Sequence, residues 1–137
     1  MINNSYKLLN QIKKEGGKRI SMNKKELTNS KLKITLITVT YNSDKYLEET
    51  IKSIVNQSYE NIEYIIIDGG STDKTLQIIE KYSKFIDYYI SEKDNGMYDA
   101  LNKGLFYSTG DLISFCNSDD MLYSRDTIKQ IAESYEK

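Results

Sequence analysis

From residue 33 onward, short β-rich apolar runs alternate with amphipathic stretches of helical spacing. Lys33–Thr40 is dense in Ile, Leu, Val and Thr and reads as a buried strand. Tyr41-Asn42-Ser43 is a turn, with Ser43 placed to cap a helix over Asp44–Gln57, where Leu47, Ile51, Ile54 and Val55 share one face. Ile62–Ile67 is a second buried strand, and Asp68-Gly69-Gly70-Ser71 is a tight turn. A second helix covers about 72–83, with Leu76, Ile79 and Tyr82 on one face. Ile86–Ile90 is a third strand, broken from a helix over Met97–Tyr107 by Asn95-Gly96. Leu112–Cys116 is a fourth strand, ending at Asn117-Ser118-Asp119-Asp120, and a last helix runs over about 124–135.

Strands alternating with helices predict an α/β domain whose mostly parallel sheet is flanked by helices and joined by right-handed crossovers. Ligands bind such sheets outside the carboxyl ends of the strands. Tyr41, Asp68 and the 117–120 segment all fall there. The pattern thus gathers an aromatic ring, a carboxylate and an acidic cluster at one edge.

Residues 1–30 lack this alternation and read as one or two short helices or a loose arm, with the compact domain over 31–137. Charge sharpens that division. Residues 1–33 hold eight Lys and one Arg against two Glu, a net +7, while residues 34–137 are net −8. The basic arm is either a solvated extension or a peripheral contact with an anionic membrane face, for which Ile2, Tyr6, Leu9 and Ile12 would supply an apolar stripe. The acidic body argues against nucleic-acid binding.

Composition removes whole classes of chemistry. The chain has no His and one Cys, so zinc sites of the usual kind and Ser–His or Cys–His catalysis are excluded. The lone cysteine fits a reducing, cytoplasmic setting. No apolar run has the length of a membrane-spanning helix, and no signal-peptide pattern opens the chain. Any metal must be held by oxygen, which favours Mg²⁺ or Mn²⁺.

Asn117-Ser118-Asp119-Asp120 is the strongest local signal. Two adjacent carboxylates leaving a buried strand repel each other unless solvated or bridged by a cation to an anionic ligand. The plainer reading is an ordinary turn. Tyr41, between Thr40 and Asn42, offers a ring for a planar base, and base–aromatic stacking is worth about 1–3 kcal/mol per base. Asp68 can accept hydrogen bonds from a base or ribose, with glycines behind it that let a ligand come close, or it can simply shape the turn. Asp99, Asn102 and Lys103 lie at i, i+3 and i+4; they face either the ligand or solvent. Walker and dinucleotide glycine fingerprints are absent. A phospho-acceptor regulator would need acids at the end of the first strand, where this chain has Thr40-Tyr41-Asn42.

In this order, Ile37–Asn42, Ile65–Asp73, Gly96–Gly104 and Gly110–Asp120 resemble family 2 glycosyltransferases over about residues 33–125. The third segment is most similar to bacterial enzymes that build surface polysaccharides. The resemblance implies a GT-A fold, a nucleotide-diphospho-sugar donor (a UDP-sugar foremost), a saccharide or lipid-linked acceptor, and transfer with inversion. It assigns Tyr41 and Asp68 to the base, Asn117 to the ribose, Asp119, with Asp120 beside it, to the metal, and Thr40, Asn42, Ser118, Asp99 and Asn102 to donor binding without a finer role. Three departures stand out. Gly69 replaces the second acid of an Asp-Asp-Gly-Ser turn, Asn117 replaces the first acid of Asp-X-Asp, and Val39 stands at a common proline position. Family domains continue well past the acidic motif, so the chain is expected to stop before the acceptor site and general base. No base stands out in 121–137, where Asp126 reads as a helix cap and Glu133 as surface. An uncovered sheet edge would then favour a homo-oligomer. The alternative is a non-catalytic nucleotide-binding fragment.

Overall fold

A computed structural model describes residues 14–21 and 31–137. The elements are β1 (Lys14–Gly16), α1 (Lys18–Ser21), β2 (Ile34–Thr40), α2 (Leu47–Val55), β3 (Ile62–Asp68), α3 (Thr75–Lys81), a 3₁₀ turn (Ser83–Phe85), β4 (Tyr88–Ser91), α4 (Met97–Tyr107), β5 (Leu112–Phe115) and α5 (Thr127–Glu136). They form one five-stranded sheet in the order β1-β4-β3-β2-β5. β2 pairs in parallel with β3 and β5, and β3 with β4, so four strands point the same way. β1 runs antiparallel to β4 at the edge. Among the described residues, no helix is long and apolar enough to cross a membrane.

The two faces of the sheet follow the period-two alternation of its strands. Ile34, Leu36, Tyr64 and Ile66 pack beneath α2, α3 and α5, through Leu47, Ile51, Ile54, Ile79, Ile128 and Ala132. Ile37, Val39, Ile65, Ile67 and Ile90 face α4, through Ala100 and Leu101. β2 and β3 are buried on both faces, which explains why they read as continuous apolar runs rather than alternating ones.

The sheet contains more than the apolar pattern shows. Residues 14–21 add an edge strand and one helical turn, where the sequence suggests short helices or a loose arm. β1 is too short and polar to signal itself, and it is held by backbone pairing rather than by apolar burial. Arg19 anchors it: its guanidinium donates to Glu63 Oε2 at 2.7 Å and to the Tyr107 carbonyl at 3.0 Å, over the Tyr88 ring. The expected membrane-facing stripe of Ile2, Tyr6, Leu9 and Ile12 lies outside the described residues. Ser43 does not cap α2 with its side chain, because α2 begins only at Leu47. Its carbonyl instead takes the first backbone bonds, from Tyr46 and Leu47.

Candidate functional site

Four loops leave the carboxyl edge of the sheet, and hydrogen bonds tie them together. The Gly69 N–H donates to the Thr40 carbonyl at 2.9 Å, and the Glu92 N–H to the Asp68 carbonyl at 3.1 Å. Tyr41, the 68–71 turn and the 92–94 segment therefore emerge side by side. Beyond β5, the Cys116 N–H donates to the Ile37 carbonyl at 3.0 Å, which starts the 117–120 loop alongside the last residues of β2.

Of the residues assigned to the base, only Tyr41 stands free, with 61% of its surface exposed. Asn42 adopts φ 46°, a left-handed conformation that Asn tolerates better than most side chains. Its N–H donates to Ser71 Oγ at 2.8 Å, and its Oδ1 accepts from the Thr72 and Asp73 N–H groups at 2.8 and 3.4 Å. Asn42 thus joins two loops through its N–H and Oδ1. Thr40 contributes its carbonyl, while its hydroxyl is buried without a hydrogen-bond partner among the described residues.

Asp68 is also differently employed from the reading that its carboxylate meets a base. It is fully buried. Oδ1 accepts from Ser71 Oγ at 2.5 Å, and Oδ2 from the Ser71 N–H at 3.0 Å and Ser91 Oγ at 2.6 Å. Asp68 therefore shapes the loop from within. Asp73 braces its far side, accepting from the Thr75 and Asp44 N–H groups at 2.9 and 3.2 Å. Partial burial would raise the Asp73 carboxyl, but the hydrogen bonds from Thr75 and the backbone outweigh it and hold the group below its usual range.

The 117–120 loop is fastened by neutral groups that leave its carboxylates outward. Ser43 and Ser118 hydroxyls meet at 3.0 Å. The Thr50 hydroxyl, on α2, lies 2.6 Å from the Asp120 carbonyl and 3.1 Å from that of Ser118. Asn117, Asp119 and Asp120 are exposed, and neither carboxylate has a protein partner among the described residues. Their charge reaches inward: burial first, then Asp120 and Asp119, push the Cys116 thiol up to about 11. Among the described residues no third acid or Cys joins them. The protein can thus offer a cation one or two carboxylates, which suits an ion that takes its remaining ligands from phosphate and water.

At the start of α4, Asp99 is half-buried and accepts the Asn95 N–H at 3.0 Å, while Asn102 is exposed. Lys103 departs from the solvated-face expectation. Only 2% of its side chain is exposed, and Nζ lies 3.1 Å from Glu92 Oε1 and 3.7 Å from Asp99 Oδ2. Glu92 is equally buried. Two charges that far out of water persist only as a pair, and this one clamps the β4–α4 loop onto the sheet. Sequence reasoning missed Glu92 and Thr50. The signal for Thr50 was its place among Leu47, Ile51 and Ile54 on the apolar face of α2.

Residues 35–137 match the model of the glycosyl transferase family 2. An uncharacterized glycosyltransferase of Mycobacterium tuberculosis is 36% identical over 102 residues, covering 74% of this chain and 39% of that protein. The chain thus spans well under half of that relative's length. The structure of TarS 1–349 from S. aureus in complex with UDP-GlcNAc superposes with a TM-score of 0.70 at 31% identity, over 77% of this chain and 31% of that one. The mannosyltransferase PcManGT from Pyrobaculum calidifontis, in complex with GDP-Man and Mn²⁺, gives 0.67 at 27%, over 72% and 30%. With the parallel sheet, the four joined loops and these likenesses together, the chain belongs to the family 2 glycosyltransferases and has their GT-A type of fold.

Proposed function

We propose that the carboxyl edge of the sheet binds a nucleotide-diphospho-sugar, a UDP-sugar foremost, with Mg²⁺ or Mn²⁺ held by Asp119 and assisted by Asp120. The observation that carries this reading is a pair of exposed carboxylates, without a protein partner among the described residues, on a loop fastened beside Tyr41. Tyr41 stacks on the base, and Asn117 and Ser118 hydrogen-bond the ribose side. Asn102 and Asp99 flank the donor from α4. The metal, when bound, neutralises the diphosphate as it leaves the sugar. Asp119 and Asp120 meet that charge requirement only in its presence, since bare carboxylates repel a diphosphate.

On this reading the reaction is transfer of the sugar to a saccharide or lipid-linked acceptor with inversion, in surface polysaccharide or glycoconjugate synthesis on the cytoplasmic side. TarS and PcManGT support the donor class and the use of a divalent ion through the ligands in their structures. Inversion needs a base for the acceptor hydroxyl. Neither acid considered for it in 121–137 suits that role: Asp126 accepts from Ser58 Oγ at 2.5 Å, and Glu133 is exposed on α5. That observation favours, as a second reading, a chain that binds the donor without transferring the sugar by itself.

Calorimetric titration with UDP tests the proposal. Binding should require Mn²⁺ or Mg²⁺ and weaken by at least about tenfold in Asp119→Ala, the scale of a lost charge-assisted contact. Affinity unchanged by the metal or by that substitution would refute donor binding at this loop. Donor hydrolysis or transfer by the purified chain would eliminate the second reading.

A further inference from the structure

The space that a side chain at position 69 would occupy is already filled. A Cβ on Gly69 would lie 2.9 Å from Asp94 Oδ2 and 3.2 Å from its Cγ and Oδ1. A Cβ on Gly70, at φ +83°, would lie 3.1 Å from the Lys93 nitrogen and 3.3 Å from its Cα. The glycine pair is therefore a seat for the 92–94 segment, not an opening for a ligand.

Asp94 is held firmly on that seat. The Glu92 N–H donates to Asp68, and the buried Glu92–Lys103 pair pins the strand end. Asp94 Oδ1 accepts the Gly96 N–H at 3.0 Å, and Asp99 takes the Asn95 N–H. Asp94 as a residue is nevertheless only half-buried. Gly69 donates to the Thr40 carbonyl, so Asp94 stands over the strand end next to Tyr41. Asp68, the other acid in this corner, has both oxygens engaged within the turn.

We propose that Asp94 reads the nucleobase of the bound nucleotide, favouring bases whose pairing edge carries a ring N–H: uracil, thymine or guanine. The inference rests on the nucleotide-binding reading above. A carboxylate only accepts hydrogen bonds. A base lying on Tyr41 presents its edge to Asp94, where the N3–H of uracil donates and the N3 lone pair of cytosine meets a like charge. Adenine likewise has a ring acceptor at that edge. A site built to accept an N–H discriminates strongly against a ligand that lacks it.

UDP and CDP differ at that edge, so their affinities with saturating Mn²⁺ test the proposal. The native chain should prefer UDP by about tenfold or more, the range of one charge-assisted hydrogen bond. Asp94→Asn, whose amide can offer either a donor or an acceptor, should bring the two affinities to within about twofold of each other. The exchange variant Gly69→Asp with Asp94→Gly moves the carboxylate to the adjacent backbone position and should recover the preference for UDP. A native chain without the preference, or an Asp94→Asn chain that keeps it, overturns the assignment while leaving nucleotide binding intact. If no nucleoside diphosphate binds the native chain, the proposed function falls and this inference with it.

Discussion

At the scale of single residues, the side chains around the site divide into those that hold loops and those that remain available. Asp68, Ser71, Asp73 and the Asn42 Oδ1 are engaged with one another and with backbone N–H groups. Tyr41, Asn117, Asp119 and Asp120 are left exposed. A rigid support with free groups at its rim is what differential binding of a charged ligand requires, because ordering costs are met before the ligand arrives. Thr50 is the sharpest case. Its one hydroxyl serves the carbonyls of Ser118 and Asp120, so the acidic loop hangs from the middle of α2. Thr50→Val keeps the shape and removes that anchor. We expect stability to fall by about 1 kcal/mol, the usual worth of a neutral hydrogen bond. Metal-dependent UDP binding should weaken by roughly fivefold, the same energy expressed as affinity. Urea unfolding and calorimetric titration measure the two effects; an unchanged affinity would mean that the anchor does not set the loop's geometry.

At the scale of elements, the apolar pattern identified β2 to β5 and α2 to α5, with ends displaced by a few residues. Met97–Tyr107 coincides with the predicted helix because Asn95-Gly96 and Ser108 punctuate it. Asp44 and residues 72–74 are used for cross-loop hydrogen bonds, and α2 and α3 start later than their apolar faces suggest. β1 was not legible because pairing and ion contacts hold it, and neither leaves a period in the sequence. The acidic loop and Tyr41 were legible because strand ends in parallel sheets collect ligand groups. Asp94 was not, since its significance depends on which loop covers Gly69. Glu63 is an acid near the start of β3, ahead of the apolar run 64–67. It gathers Thr35, Thr109, Arg19 and Lys33 and so fastens the 14–21 segment to the sheet. Burial pushes its carboxyl up, but the Thr109 and Thr35 hydrogen bonds and the Lys33 charge prevail and hold it below 4.5. A depressed native value stabilises the fold above the unfolded value and loses that contribution as pH falls through the native one. The chain should therefore lose stability steeply below about pH 4.5. Glu63→Gln should lower stability near neutrality by about 3 kcal/mol, as for a broken buried pair, and flatten the acid limb. Thermal melts across pH 3 to 7 (roughly the carboxylate range) would show parallel acid limbs if Glu63 were not the group responsible.

For the whole molecule, the two edges of the sheet are managed differently. The β1 edge is three residues long and charged, with Lys14 paired to Glu80, a form that resists further strand addition. Among the described residues, the β5 edge pairs only with β2. On the α4 side of the sheet it carries Ile113 and Phe115, which are 41% and 46% exposed. α4 covers β2 and β3, and its Leu105 is also 43% exposed. An apolar strand with open N–H and C=O groups is a template for another strand. The proposed donor site lies at the carboxyl edge and does not use the outer side of β5, so association and nucleotide binding should be separable. We expect the native chain to self-associate with rising concentration in sedimentation velocity, and Ile113→Lys to shift it toward monomer, since an edge lysine opposes pairing. The same variant should bind UDP with Mn²⁺ as the native chain does, because Ile113 belongs to the strand and not to the loops that hold the ligand. Equal association of the two chains would show that this edge is not what brings copies together, and a loss of UDP binding in Ile113→Lys would show that the edge and the site depend on each other.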